Sequence, residues 1–160
     1  MKNDTVLVGI AEGKVIHRPG ILVSYALGSC VGICLYDRIS GIAGMAHIML
    51  PYRDEAMEQE NRYKFADSGT EELLKRMLAE GAVRNRITAK IAGGARMFPG
   101  NDASEGVGER NVKAVRNTLE RQGIFLTAED TGKNYGRTIR FDAETGSLEI
   151  RTAKRQATVI

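Results

Sequence analysis

No stretch of this sequence is apolar for long enough to cross a bilayer, and its first twenty residues, MKNDTVLVGIAEGKVIHRPG, hold no continuous apolar run of signal-peptide length. The expectation is a cytoplasmic chain without membrane insertion. Thiols and imidazoles are scarce: Cys30 and Cys34 are the only cysteines, His17 and His47 the only histidines. Two cysteines four positions apart in a reducing compartment are poor disulfide partners, so both are expected as free thiols. A basic run is missing too. The 23 Lys and Arg residues are spread among 20 Asp and Glu, for a formal net charge of +3. That leaves no nucleic-acid footprint and at most a mild preference for an acidic partner. Low-complexity tracts and internal repeats are also absent, which argues against disorder outside the ends and against a solenoid.

What is present is an ordinary globular composition, 42% hydrophobic and 27% charged over 160 residues, enough for one sizeable core. A single domain over residues 1–160 is expected. Apolar and β-branched runs predict strands at Thr5–Ile10, Lys14–His17, Ile21–Ala26, Val31–Tyr36, Ile42–Met49, Ile87–Ala92, Ile124–Glu129, Thr138–Phe141 and Ser147–Arg151. The last two are joined by DAETGS, where Gly146 suits the positive-φ position of a tight hairpin. Thr70 to Gly81 reads as a helix with a Thr N-cap, an apolar stripe of Leu73, Leu74, Met77 and Leu78, and a Gly stop. A second helix, ERNVKAVRNTLERQG, carries Val112, Val115 and Leu119 on one face and closes at Gly123 before a strand. Glu55–Lys64 gives a weaker helical signal, and FPGNDASEG, from Phe98 to Gly106, reads as an exposed loop expected to move. The order of elements predicts an α+β fold with a large mixed or antiparallel sheet system.

With so few reactive side chains, candidate chemistry collects around Cys30. It lies in LGSCVG, where Gly28 and Gly32 are expected to let the backbone turn sharply, approach a substrate and present N–H groups of Gly28, Ser29 and Cys30 to an oxyanion. Cys34, inside VGICLY, reads as a small core hydrophobe. His47 falls near the end of IAGMAHIMLP, at an expected sheet edge, and is either a base or a buried structural histidine. His17, before the turn signal RPG, reads as an exposed strand end. An adjacent imidazolium that lowered a thiol pKa by about two units would raise the thiolate fraction about thirtyfold, roughly 2 kcal/mol. Amide hydrolysis needs far more, so positioning and oxyanion donors must supply the rest.

Three other readings of these residues stay open. GSCVG matches a nucleophile elbow, although an elbow must lead into a helix and VGICLYD is a poor helix start. His17, Cys30, Cys34 and His47 form a symmetrical His-x12-Cys-x3-Cys-x12-His array of zinc-type ligands, without the close ligand pairs usual in structural sites. A binding or adaptor module without chemistry fits the pattern equally well.

Taken together, LGSCVGICLYD, IAGMAHIMLP, AKIAGGARMF, VGERN, AEDTGKNYGRTIRF and ETGSLEIR, in that order from about Val6 to Arg151, resemble the CheD family of chemoreceptor glutamine deamidases. The resemblance implies packed, sandwich-like sheets with helices outside. It implies a cytoplasmic cysteine hydrolase that converts glutamine side chains of methyl-accepting chemotaxis receptors to glutamate without a cofactor or metal. Some members also hydrolyse receptor methyl esters, and members commonly bind the phosphatase CheC. The family's nucleophile falls on Cys30 and its histidine on His47. Its third member is usually Thr; here Ser24 takes that place, keeping the hydroxyl but losing the β-branch that restricts χ1. The family's D-x-G-G stretch is altered, with Lys133 following Gly132.

Overall fold

The computed structural model describes residues 4–55, 61–98 and 106–160. Among them, β1 (Thr5–Leu7), β3 (Ile21–Leu27), β8 (Arg137–Asp142), β9 (Leu148–Thr152) and β10 (Arg155–Val159) form one five-stranded sheet, in the order β1-β3-β8-β9-β10. The second sheet runs β2 (Gly13–His17), β5 (Ile42–Ile48), β4 (Val31–Asp37), β6 (Ile87–Gly93) and β7 (Phe125–Thr131). Both are mixed, each having one parallel pair, β1 with β3 and β6 with β7. Two helices, α1 (Ala66–Ala79) and α2 (Val107–Arg121), complete an α+β architecture.

The side-chain alternation of β4 and β5 explains the layering. Every residue of both strands is buried, so each strand must be covered on both faces. Val31, Ile33 and Leu35 of β4, with Ile42, Ala46 and Ile48 of β5, pack with Leu73, Leu74 and Met77 of α1 and Val112, Val115 and Leu119 of α2. Gly44 lets α1 come close: a Cβ there would lie 2.9 Å from Met77 Sδ. The alternate residues Cys34, Tyr36, Ala43 and Met45 face the other sheet and pack with Leu22, Leu27, Ile139, Phe141 and Ile150. Full burial of each large aliphatic is worth roughly 1.5–3 kcal/mol, so the central strands anchor both cores.

Most predicted elements are present, with instructive differences. Helix α1 starts four residues before Thr70, which is buried within it and donates from Oγ1 to Ala66 O at 2.7 Å instead of capping it. The N-cap is Phe65, whose fully buried ring fixes the helix start without a side-chain cap bond. In the Glu55–Lys64 region there are short 3₁₀ turns at Arg53–Glu55 and Arg62–Lys64, while residues 56–60 lie outside the described residues. Residues 99–105 of the expected loop do so too. Strand β10 was not legible because all five of its residues are exposed and leave no alternation to read. The β8–β9 hairpin forms as expected, with Gly146 at φ +76°.

Candidate functional site

His47 is the sixth of the seven residues of β5, and that strand is interior, between β2 and β4, so the expected sheet edge is not there. Its side chain is 1% exposed and, by alternation with Ala43 and Met45, faces the space between the sheets. Its backbone is held by the turn before β2, with His47 N donating to Glu12 O at 3.0 Å and Ala11 N to His47 O at 2.8 Å. Gly32 pairs with His47 across the β4–β5 ladder. Two residues earlier on the same face, half-buried Cys30 therefore stands diagonally from the imidazole and packs against the inter-sheet core.

Ser24 arrives from the other sheet. It is fully buried in β3, and its Oγ lies 2.7 Å from both Val8 O and His47 Nδ1. A carbonyl oxygen only accepts, so the single hydroxyl proton goes to Val8. Ser24 must then accept from Nδ1–H, which fixes the tautomer and leaves the lone pair on Nε2. That buried nitrogen has no hydrogen-bond partner among the described residues. Such an imidazole is set to take a proton at Nε2, on the face it shares with the Cys30 thiol.

Electrostatics favour the neutral forms of both groups. Burial pushes the Cys30 thiol up, with its own backbone N–H drawing it partly back. Burial also lowers the His47 pKa, against the smaller opposing influences of the Glu12 carboxylate and the Val8 carbonyl. The resting pair is thus thiol and imidazole, and the thirtyfold gain in thiolate expected from an adjacent imidazolium is absent. Activation must come from proton transfer during attack.

This lowering has a sign that can be tested. Unfolded His47 takes a proton near its ordinary value of 6.5, whereas the folded protein does so only at lower pH. The unfolded state binds more protons in that interval, so stability falls as pH drops below about 6.5. Urea unfolding of wild type and His47→Gln at about pH 7.5 and 5.5 is expected to show a smaller pH-dependent loss in the variant.

The loop around Cys30 is held by backbone bonds. Ala95 N donates to Gly28 O at 2.9 Å and Gly94 N to Cys30 O at 2.8 Å. Behind this, Gly132 N donates to Gly93 O at 3.0 Å and Arg96 N to Lys133 O at 2.9 Å. The Gly132–Lys133 turn thus buttresses the segment that holds the nucleophile loop. Lys133 accommodates this at φ 62°. The chain bends at Gly28–Cys30 as expected, though neither Gly28 nor Gly32 has positive φ and Gly32 lies inside β4; the positive φ values nearby are at Ala26, Gly93 and Gly94. Glycine is needed at 32 because a Cβ would collide with Ile139 Cδ1 across the sheets, and at 93 because it would collide with Cys30 O.

The rival arrangements are not formed. Cys30 leads into strand β4, not a helix, which removes the nucleophile elbow. His17 is exposed and lies 3.6 Å from Glu80, while Cys34 is fully buried in the inter-sheet core, with burial driving its thiol pKa far up. No group of three or more metal-ligating side chains occurs among the described residues. One residue near the site was missed by sequence reasoning. Asn111 of α2 is fully buried and donates from Nδ2 to Ser29 O and to Met49 O, both at 2.9 Å. Its signal was a polar side chain one position before Val112, within the motif VGERN.

The site and fold together define a two-sheet α+β protein with a thiol, an imidazole and an orienting hydroxyl between its sheets. Residues 49–152 match the family model described as CheD chemotactic sensory transduction. A protein of Caldanaerobacter subterraneus subsp. tengcongensis named "Probable chemoreceptor glutamine deamidase CheD" is 49% identical over 95% of this chain and 95% of its own length. Its namesake in Moorella thermoacetica is 48% identical over 100% of this chain and 98% of its own. The one in the archaeon Methanosarcina barkeri is 44% identical over 96% and 100%. The chain belongs to the CheD family. No helix among the described residues is long and apolar enough to span a membrane.

Proposed function

We propose that this chain is a chemoreceptor glutamine deamidase, a single CheD-like domain over residues 1–160 acting in the cytoplasm. The observation that carries the mechanism is the tautomer imposed on His47 by Ser24 and Val8, which leaves Nε2 free as a base on the face occupied by Cys30. Cys30 Sγ attacks the side-chain carboxamide carbon of a receptor glutamine as His47 Nε2 takes the thiol proton. The negative oxygen is held by backbone N–H groups of the Gly28–Ser29–Cys30 segment. Collapse of the tetrahedral species breaks the C–N bond, with His47 returning the proton so that ammonia leaves and a thioester remains. Water, deprotonated by His47, then hydrolyses the thioester to glutamate and restores the thiol. The same route accepts a glutamyl methyl ester, with methanol in place of ammonia.

The family resemblance supports methyl-accepting chemotaxis receptors as substrate and a CheC-type phosphatase as a binding partner. No step calls for a metal or organic cofactor. The test is mass spectrometry of a receptor cytoplasmic fragment incubated with the protein, reading the gain of about 1 Da at individual glutamines that deamidation produces through the thioester route. A fragment whose mass is unchanged by active-site-intact protein would refute the proposal.

Ser24 offers an internal check. Ser24→Ala leaves Val8 O and His47 Nδ1–H buried without their partner, at about 1–3 kcal/mol each, and releases the imidazole. Turnover is expected to fall about tenfold or more, less than on loss of the nucleophile or base. Ser24→Thr restores the hydroxyl on a side chain stiffer at χ1 and is expected to stay within about threefold of wild type. Ammonia release by both variants is the measurement; a Ser24→Ala protein as fast as wild type would move the orienting role elsewhere.

A further inference from the structure

The buried amide of Asn111 joins two strands at the point where their own pairing stops. The β4–β5 ladder runs as far as Val31 opposite Ile48. Just beyond it, Asn111 Nδ2 donates to Ser29 O and Met49 O, the carbonyls on either side of the opening. Two carbonyl acceptors require two N–H donors, so the amide orientation is fixed. Its Oδ1 is buried without a partner among the described residues. An orphaned acceptor costs free energy, which makes the amide a poor choice for packing alone.

The geometry points to a role for Asn111 as a positioning residue for the oxyanion donor, an inference that rests on the deamidase reading above. The Ser29–Cys30 peptide is trans, since the one cis bond is Arg18–Pro19. In a trans peptide the C=O and N–H point in opposite directions. By holding Ser29 O toward α2, Asn111 turns the Cys30 N–H away from the helix. There it lies against the Cys30 thiol, whose pKa it draws down. A carbonyl carbon bonded to Sγ brings its oxygen to the same side, where this N–H can donate to it. The Gly28–Ser29 peptide is fixed independently, by Ala95 N on Gly28 O. Asn111 therefore governs the Cys30 donor specifically, and its second bond, to Met49 O, ties that donor to the strand carrying His47.

An oxyanion donor matters only when the reaction develops an oxyanion, and this separates positioning from mere structure. Butanal, a short aldehyde, reacts reversibly with a thiol: Sγ bonds to the carbonyl carbon, the C=O π pair moves to oxygen, and the thiol proton ends there to give a hemithioacetal. Iodoacetamide alkylates the same sulfur by displacing iodide and makes no oxyanion. In full-length Asn111→Ala, protection of Cys30 by butanal against alkylation is expected to need at least about tenfold more aldehyde, and receptor-fragment kcat to fall about 10²-fold. KM is expected to stay within about twofold, and each variant's own rate of alkylation without butanal is the reference against which its protection is read. Thr118→Ala, which removes a buried hydroxyl two turns along the same helix, serves as the stability control and is expected to leave butanal protection unchanged. If Asn111→Ala does not fold, Asn111→Ser, too short to span both carbonyls, is read the same way. Equal butanal protection in wild type and the Asn111 variant overturns the assignment, as does an equal loss in Thr118→Ala. If wild type protects with butanal and loses protection on Asn111→Ala yet releases no ammonia from receptor fragments, the assignment stands and the glutamine reading fails.

Discussion

Cys30→Ala is expected to abolish ammonia release from a receptor fragment, by at least about 10⁴-fold, while its thermal midpoint stays close to that of wild type. The loop that carries Cys30 is held through the Gly28, Ser29 and Cys30 carbonyls, by Ala95 N, Asn111 Nδ2 and Gly94 N. None of these bonds uses the thiol, and the half-buried side chain leaves only a small void when the sulfur is removed. The loss therefore falls on chemistry. Cys34→Ala is the mirror case. Its sulfur sits in the closed core between the sheets, so removing it costs stability through a cavity, on the order of 1 kcal/mol, and leaves turnover intact. Measured side by side, ammonia release and thermal unfolding should move in opposite variants. Deamidation that survives Cys30→Ala would remove the nucleophile from the mechanism.

His47→Gln carries the second large effect. Glutamine preserves polarity and approximate volume but offers no base in the neutral range, so kcat is expected to fall about 10²–10⁴-fold. The shape of the pH profile is more informative than the size of the loss. In wild type, His47 must be unprotonated to accept the thiol proton, and its folded pKa lies below 6.5. The rate is thus expected to rise with pH on the acid side of 6.5 and to level off by neutrality. Burial holds the thiol above its ordinary value, so the plateau should extend beyond the pH at which an exposed thiol ionises. In His47→Gln the acid limb attributable to this group disappears. The remaining rate should climb with pH as thiolate forms directly, with no plateau at neutrality. A variant that retains the wild-type profile at reduced height would mean that another group supplies the base.

The sequence distinguished Cys30 from Cys34 because glycine context and strand context differ within a few residues, and the structure keeps that distinction. The expected cause was half right: the chain does bend at Gly28–Cys30, without positive φ, whereas Gly32 lies inside β4, close against Ile139 of the opposite sheet. His47 was reachable by elimination, there being only two imidazoles. Ser24 had no local signal of its own and was singled out only through the family resemblance. Residues 24 and 47 meet across the gap between sheets, and nothing in strand periodicity says which residues of two separate sheets will face each other. Asn111 escaped because a helical apolar stripe marks which face is buried, and not what a polar residue on that face will bind. Likewise, β7 pairs in parallel with β6 through α2, a register set by packing and not by the composition of either strand.

That Ser24 and His47 belong to different sheets has a bearing on safety as well as on catalysis. Their contact is not part of any backbone ladder, so it exists only while the two layers are closed upon each other. A nascent or partly opened chain can possess every strand and still lack an oriented base, leaving Cys30 with no group placed to take its proton during attack. Carboxamides of glutamine are everywhere on the surfaces of other proteins. Joining proton transfer to the last stage of tertiary assembly confines the proposed activity to molecules that have completed folding, the state in which substrate selection can operate.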